Sequence, residues 1–399
     1  METGEKRSVK QLAGQMTAAL VLPLAFIVVL LRYRANSDTL DSVFKTDIPL
    51  DLWIYLRGGE RVSAGEALYA GNIFNDLPFT YPPFSGLLFS WLGVFGDLEV
   101  TVLWHTMSIA GTMLVLWLCF VRLGVKMTPA FLVILPAMAA FFLLGTEPLH
   151  ATLFWGQVNI LLMVLVCLDF LPRTRRLPGV GVGLAAGIKL TPAFFGLLFL
   201  VQRRWAAAVG SIVVFLATVA LGFLTVPDAK HFWTDAMFSS DRVGVHSNTG
   251  AQSIKSVLVR DFGIESGVVW LVLALLTVAL VAWAAWLAVQ RDNLPAAVGM
   301  VGMGACLVSP FSWYHHWVWI VPLGVAIFVG VNRAAARIMP AQLAGLVSCL
   351  VLFIVMVPFS ATNLEPLVGY HRSSLYVYAG VALILGYIIH ALIPRFQLR

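Results

Sequence analysis

Apolar residues in this chain arrive in long uninterrupted runs, and polar residues are confined to the stretches between them. The runs fall at about 11–31, 82–96, 99–121, 128–144, 151–171, 178–201, 205–226, 267–289, 295–309, 315–331, 341–360 and 374–393. Most approach the roughly twenty residues that a helix needs to cross a bilayer, and the Gly and Pro inside them are tolerated by membrane helices. The pattern predicts an all-α polytopic membrane protein with about twelve transmembrane helices. The short alternating segments of a membrane β-barrel do not occur. No internal repeat or appended soluble stretch is visible, so residues 1–399 read as a single membrane domain.

An even number of crossings returns both termini to one side, and Lys6, Arg7, Lys10, Arg395 and Arg399 assign that side to the cytoplasm. Lys6, Arg7 and Lys10 precede the first run as in a signal peptide, but no small-residue cleavage site follows, so the run reads as a retained anchor. Residues 32–81 then form a large extracytoplasmic loop, 227–266 a second and 361–373 a third. Alternation places Arg203, Arg204, Arg291, Arg333 and Arg337 inside, as the positive-inside rule requires. It leaves Arg122, Lys126, Arg173, Arg175 and Arg176 outside, against the rule. Either a run such as 178–201 is a broken pair of half-helices, or those charges meet anionic lipid or phosphate.

Composition agrees with the pattern. The 399 residues are 60% hydrophobic and 12% charged, which excludes an ordinary soluble domain. The net charge of +6 comes from basic residues spread over short loops, so no nucleic-acid partner is expected. All four cysteines (Cys119, Cys167, Cys306, Cys349) lie in apolar runs, where they serve as small hydrophobes rather than as disulfides or zinc ligands.

Three polar interruptions are expected to converge on the outer face: Thr46–Pro83, Asp241–Arg260 and Ser309–Trp319. The first gathers Asp47, Asp51, Arg57, Glu60, Arg61, Glu66 and Asp76 among aromatics, which suits a substrate-facing surface. Asp51 can serve as a general base that deprotonates an acceptor hydroxyl; it can equally cap a helix or pair with Arg57 or Arg61. One carboxylate suffices where the leaving group is a phosphate, which needs no acid, unlike the pair used in glycoside hydrolysis. His315 and His316 can orient a base or contact phosphate, or simply belong to the aromatic belt of Trp313, Tyr314, Trp317 and Trp319. Lys189, inside an apolar run, needs an anionic partner, while Lys255 is more exposed; with Arg57 these are the candidate phosphate cations. Gln157 and Asn159 can bond a sugar or join neighbouring helices, and Asn248 and Gln252 in the second polar segment are further substrate-binding candidates. The chain has no GxxxxGK[ST], GxSxG or HExxH motif and no D-x-D pair; the nearest is Asp97 with Glu99, which alternation places on the cytoplasmic side. No metal or cofactor is called for, and a lipid-phosphate donor fits better than a nucleotide sugar.

Six stretches, DLWIYLRGGERVSAGEALY with LPFTYPP, LFWGQVNILLMVLVCLDF, GLAAGIKLTP, NTGAQSIKSVL and SPFSWYHHWVW, resemble in that order the polytopic glycosyltransferase family 87, over about Asp51 to Trp319. The resemblance implies a GT-C type glycosyltransferase of the plasma membrane with its site at the extracytoplasmic face. It implies polyprenyl-phosphate mannose as donor, a mannosylated phosphatidylinositol glycolipid as acceptor, and inversion to an α-1,2 linkage. It also implies Asp51 as the base, supported by a histidine of the HHW motif, with His315 preferred over His316. Gly58, Gly59, Tyr81 and Pro82 match the family pattern as loop-shaping residues, Tyr81 also being a candidate for substrate contact. The same family includes lipomannan-branching mannosyltransferases and an arabinofuranosyltransferase, so the motifs leave donor and acceptor open. A lipid or sugar transporter and a non-catalytic membrane protein are the competing classes; the chain shows neither repeat symmetry nor a midplane acid–base ladder.

Overall fold

The computed structural model describes residues 47–174, 178–239, 242–364 and 374–393. The anchor expected at 11–31, Arg175, Arg176, Asp241 and most of the 361–373 loop lie outside the described residues, as do the basic residues at both termini. The regular structure of the described chain is helical apart from one two-stranded antiparallel ribbon and an isolated bridge between Ala251 and Trp313.

After Pro49, helix α1 (Leu50–Ser63) buries Leu52, Tyr55, Leu56, Gly59 and Val62, an i, i+3, i+4 stripe that faces the core. Strands β1 (Asn72–Phe74) and β2 (Leu77–Pro78) form the ribbon, with Phe74 opposite Leu77. Helix α2 (Pro83–Ser90) crosses α1 closely: a Cβ on Gly59 would lie 2.6 Å from the Phe89 carbonyl carbon. A 3-10 turn (Trp91–Val94) leads to α3 (Asp97–Arg122). Helices α4 (Phe131–Gly145) and α5 (Glu147–Trp155) meet at a 79° bend, and α6 (Asn159–Phe170) follows.

Helix α7 (Val180–Ile188) stops at Lys189, whose backbone is extended, and a 3-10 turn (Thr191–Phe195) carries the chain into α8 (Gly196–Val201). The break has a local cause, because Pro192 has no N–H to give to the Ile188 carbonyl. Then come α9 (Trp205–Thr225), α10 (Ala229–Thr234), α11 (Ile254–Phe262), α12 (Gly267–Gln290) and α13 (Leu294–Val308). A 3-10 turn (Tyr314–His316), α14 (Ile320–Ala335), α15 (Ala341–Met356) and α16 (Leu375–Leu392) complete the bundle.

Among the described residues five helices are long and apolar enough to cross a membrane: α3, α9, α12, α15 with its 3-10 extension to Ser360, and α16. The bent pair α4–α5 makes a sixth if counted as one span. Among the described residues the 82–96 and 178–201 runs, both expected as crossings, are not continuous spanning helices. The 82–96 run is a pair of short helices, too brief for a span. The 178–201 run doubles back at Lys189 and returns to its starting level. Both of its ends are fixed at Asp169, whose carboxylate accepts the Gly179 and Val182 N–H groups and whose carbonyl accepts from Arg204 at 3.0 Å.

These two changes of direction resolve the conflict at Arg122 and Arg173. Arg122 pairs with Asp292, Arg333 donates to the Leu123 carbonyl and Arg291 to that of Ala391. The Arg122 hydrogen bond, with the charges of Arg122 and Arg173 behind it, holds the Asp292 carboxyl below the usual carboxylate range. Arg122, Arg173, Arg204, Arg291 and Arg333 therefore gather at one end of the bundle. Asp97 stands at the far end of the 26-residue α3, about 39 Å away, not at the basic end where alternation put it.

Candidate functional site

The opposite end holds the polar interruptions. Gln252 N–H donates to the Ser312 carbonyl at 2.6 Å and Tyr314 N–H to that of Gly250 at 2.9 Å, so the second and third segments run together. Arg242 donates to the Phe79 carbonyl at 3.4 Å, joining the second segment to the first.

Asp51 sits in the first turn of α1, where a carboxylate is favoured by the helix dipole. It makes no capping bond and no ion pair with Arg57 or Arg61. Its Oδ2 accepts from Gln157 Nε2 at 2.7 Å, a partner 106 residues away. The turn between α5 and α6 makes this meeting possible. Gly156 ends α5 at φ +70°, and a Cβ there would lie 2.7 Å from that of Leu52 and 2.8 Å from that of Pro49. Only glycine allows both the left-handed backbone and that approach.

The Gln157 amide is oriented from its other side. The hydroxyls of Tyr81 and Tyr55 lie 3.1 and 3.3 Å from Oε1 and 2.8 Å from each other. With hydroxyl donors at the carbonyl oxygen, the NH₂ group is the one presented to Asp51. Burial pushes the Asp51 carboxyl up to about 6, against the opposing pull of the Gln157 hydrogen bond and the Lys189 charge. A carboxylate in this setting is a stronger base than an exposed aspartate and stays ionised at neutral pH.

Lys189 enters from the break between α7 and the following turn. Its Nζ donates to Asn159 Oδ1 at 3.0 Å, stands 3.0 Å from His316 Nε2, and lies 5.2 Å from the centre of the Tyr81 ring. Asn159 is the hub: its Nδ2 donates to the His315 carbonyl at 2.9 Å and, at 3.4 Å, reaches Gln157 Oε1. Asp51, Gln157, Asn159, Lys189 and His316 thus form one continuous network drawn from four separate parts of the chain.

The two histidines differ. His316 Nδ1 accepts the Trp313 N–H at 3.2 Å, which leaves the proton of a neutral ring on Nε2, facing Lys189. His315 is buried and neither ring nitrogen has a hydrogen-bond partner among the described residues; it meets the network through its carbonyl. His316 is therefore the ring that reaches the lysine, whereas His315 is the one preferred from the sequence.

The remaining candidates lie apart from this network. Arg57 bonds Glu60 at 2.6 Å and stacks on Trp53, six residues and about 120° around α1 from Asp51. If Arg57 holds no reacting group, Arg57→Gln should change the rate by less than about fivefold, the scale of an exposed ion pair; steady-state rates of the purified variant check this. Lys255 lies over the Trp270 ring at 5.8 Å. Asn248 Oδ1 accepts the Gly250 N–H at 2.8 Å, and Gln252 Nε2 donates to the Thr249 carbonyl at 2.8 Å, so both shape the second loop. Sequence reasoning did not single out Tyr55, although it stands one helical turn from Asp51. Among the described residues no three His, Cys, Asp or Glu side chains are placed together as metal ligands.

Comparison with known proteins gives a consistent picture. The profile of glycosyltransferase family 87 matches residues 79–310. A polyprenol-phosphate-mannose-dependent alpha-(1-2)-phosphatidylinositol pentamannoside mannosyltransferase of Mycolicibacterium smegmatis is 35% identical over 284 residues, 69% of this chain and 68% of the relative. The Mycobacterium tuberculosis protein of the same name is 34% identical over 73% of this chain and 69% of its own length. A polyprenol-phosphate-mannose-dependent alpha-(1-2)-phosphatidylinositol mannoside mannosyltransferase of Mycobacterium tuberculosis is 33% identical over 76% of this chain and 75% of its own. No solved structure matches.

Proposed function

The chain belongs to glycosyltransferase family 87, and from that premise we propose that it is an inverting mannosyltransferase that draws on polyprenyl-phosphate mannose. The acceptor is a mannosylated phosphatidylinositol, the new linkage is α-1,2, and the reaction takes place at the extracytoplasmic face of the plasma membrane. The basic residues gathered at the end away from the site support that orientation.

The observation that carries the reading is the pairing of a half-buried base with a half-buried cation whose direct contacts are all neutral. Lys189 Nζ meets Asn159 and His316, and among the described residues no carboxylate lies within ion-pair distance of it. An ammonium removed from water is costly without an anion. His316 aims its Nε2 proton toward the same point. Two donors facing one another are relieved by an acceptor that both can reach, and the donor's phosphate supplies one.

In the proposed reaction Asp51 takes the proton of an acceptor hydroxyl as its oxygen attacks the anomeric carbon. The carbon–oxygen bond to the lipid phosphate breaks on the opposite side, and the departing phosphate carries its electron pair to Lys189 and His316. Asp51 ends protonated and releases that proton to water. No acid is needed because a phosphate leaves as a stable anion.

Two measurements test this. Purified protein offered polyprenyl-phosphate mannose, GDP-mannose and a polyprenyl-phosphate pentose should use the first; exclusive use of the nucleotide sugar would overturn the donor assignment, and use of the pentose would move the chain to an arabinosyl chemistry. The rate should also fall as pH drops through about 6, by about tenfold per unit below it, because protonation removes the base. A kcat/KM flat from pH 7.5 to 4.5 would exclude Asp51 from that step.

A further inference from the structure

Asp228 stands at the N-terminus of α10 yet makes no capping bond to its own helix. Its Oδ1 instead accepts the Leu68 N–H at 2.8 Å and its Oδ2 the Tyr69 N–H at 2.6 Å, across 160 residues of chain. Tyr69 is buried, with its ring against Phe79 and Phe232, and its hydroxyl donates to the Tyr81 carbonyl at 2.7 Å. Tyr81 in turn reaches Gln157 Oε1, and Gln157 reaches Asp51. A line of hydrogen bonds therefore leads from the second outer loop to the carboxylate at the centre of the site.

We propose that Asp228 and Tyr69 are positioning residues for the reaction at Asp51, holding the Tyr81 segment so that Gln157 presents its NH₂ group to the base. The inference rests on the reading of Asp51 as that base. Residues 64–82 carry no regular structure beyond the short β1–β2 ribbon, which is marginal by itself. Within the segment Tyr69 holds the Tyr81 carbonyl, and Tyr69 is itself held from outside by the doubly accepting carboxylate of Asp228, a charge-assisted clamp suited to that task. With the clamp slack, the Tyr81 hydroxyl leaves Gln157 Oε1, and only the longer contacts from Tyr55 at 3.3 Å and Asn159 at 3.4 Å then hold the amide with its NH₂ group toward Asp51.

Tyr69→Phe removes one hydroxyl at nearly constant volume, and Asp228→Asn replaces one accepting oxygen by a donor. Both variants are purified as the full chain in nanodiscs and compared with wild type for kcat, donor KM, the pH at half-maximal kcat and the melting midpoint. Tyr69→Phe should lower kcat about 3- to 10-fold, the scale of one net hydrogen bond, with donor KM unchanged. The acid limb should move to higher pH in both variants, since a carboxylate that loses a donor holds its proton more tightly. The titratable groups facing Asp51 are Tyr55, Tyr81 and Lys189, all retained in both variants, so a moved limb reports orientation and not a lost charge.

A purely structural role predicts a lower melting midpoint or yield with wild-type kcat and pH limb in the folded fraction, and that result overturns the proposal. If Asp228→Asn does not fold, Tyr69→Phe decides alone. If wild type transfers no mannose, the functional reading fails first, and the relay is then read without turnover. Dicyclohexylcarbodiimide attacks protonated buried carboxyls, and mass spectrometry of the Asp51 peptide gives the pH at half-labelling. A half-labelling pH higher in both variants than in wild type supports the relay, and an identical one contradicts it.

Discussion

Asp51→Asn is expected to fold as wild type does and to lose mannosyl transfer by more than about a hundredfold, the scale of a missing general base. Asparagine keeps the side chain's size and can still offer its oxygen to Gln157 Nε2, so the contact that joins α1 to the α5–α6 turn survives. What it cannot do is accept the proton of an attacking hydroxyl. Donor binding should change little, because Lys189 and His316 are untouched. Full transfer by the variant would remove Asp51 from the chemistry while leaving the family assignment intact.

Lys189→Met is the second large effect. Methionine fills the space of the lysine stem but brings no charge to the point between Asn159 and His316. Loss of a buried, hydrogen-bonded partner of an anion costs about 2–5 kcal/mol, so kcat/KM for the lipid-phosphate donor should drop at least about thirtyfold. The loss should appear in donor KM as well as in kcat, because a cation that holds the phosphate before and during its departure serves both. Asp51→Asn should touch kcat alone. Steady-state titration of the donor at saturating acceptor separates the two patterns, and an unchanged donor KM in Lys189→Met would place the phosphate elsewhere.

The parts of this site that were legible in the sequence are those where a polar residue is expensive. Lys189, Gln157 and Asn159 stand in apolar runs, Asp51 follows Pro49 in a crowded loop, and the His315–His316 pair opens an apolar stretch; the structure brings four of these segments together. Their pairing was not legible. That Gln157 serves Asp51 depends on Gly156 allowing two segments to touch, and that His316 and not His315 meets Lys189 depends on which nitrogen the Trp313 N–H occupies. Arg57 misleads for the opposite reason: a guanidinium suits phosphate by chemistry, but its place on α1 turns it toward Trp53 and Glu60.

Crossings were misjudged where hydropathy alone was the guide. The 178–201 run is apolar because it is packed in the bundle, whereas 82–96 packs mainly through its first helix and leaves Trp91, Val94 and Phe95 exposed; both give the same signal as a span. Pro192 was the local clue that 178–201 breaks, and Arg122 and Arg173 were the electrostatic one. Asp228 was invisible, since a carboxylate just after Pro227 at a helix start reads as a cap and its reach to Leu68 and Tyr69 is a property of the fold.

The most direct test of the central claim, displacement at the anomeric carbon by one base without a covalent intermediate, is the stereochemistry of the product. Purified wild type is given β-linked polyprenyl-phosphate mannose, labelled in the sugar, and an extracted mannosylated phosphatidylinositol. The labelled glycolipid is then treated with an exo-α-1,2-mannosidase and, separately, with a β-mannosidase. The account predicts a single new α-mannosyl residue, released by the first enzyme and untouched by the second. A β-linked product would mean retention, and with it a nucleophile where this account has only a base.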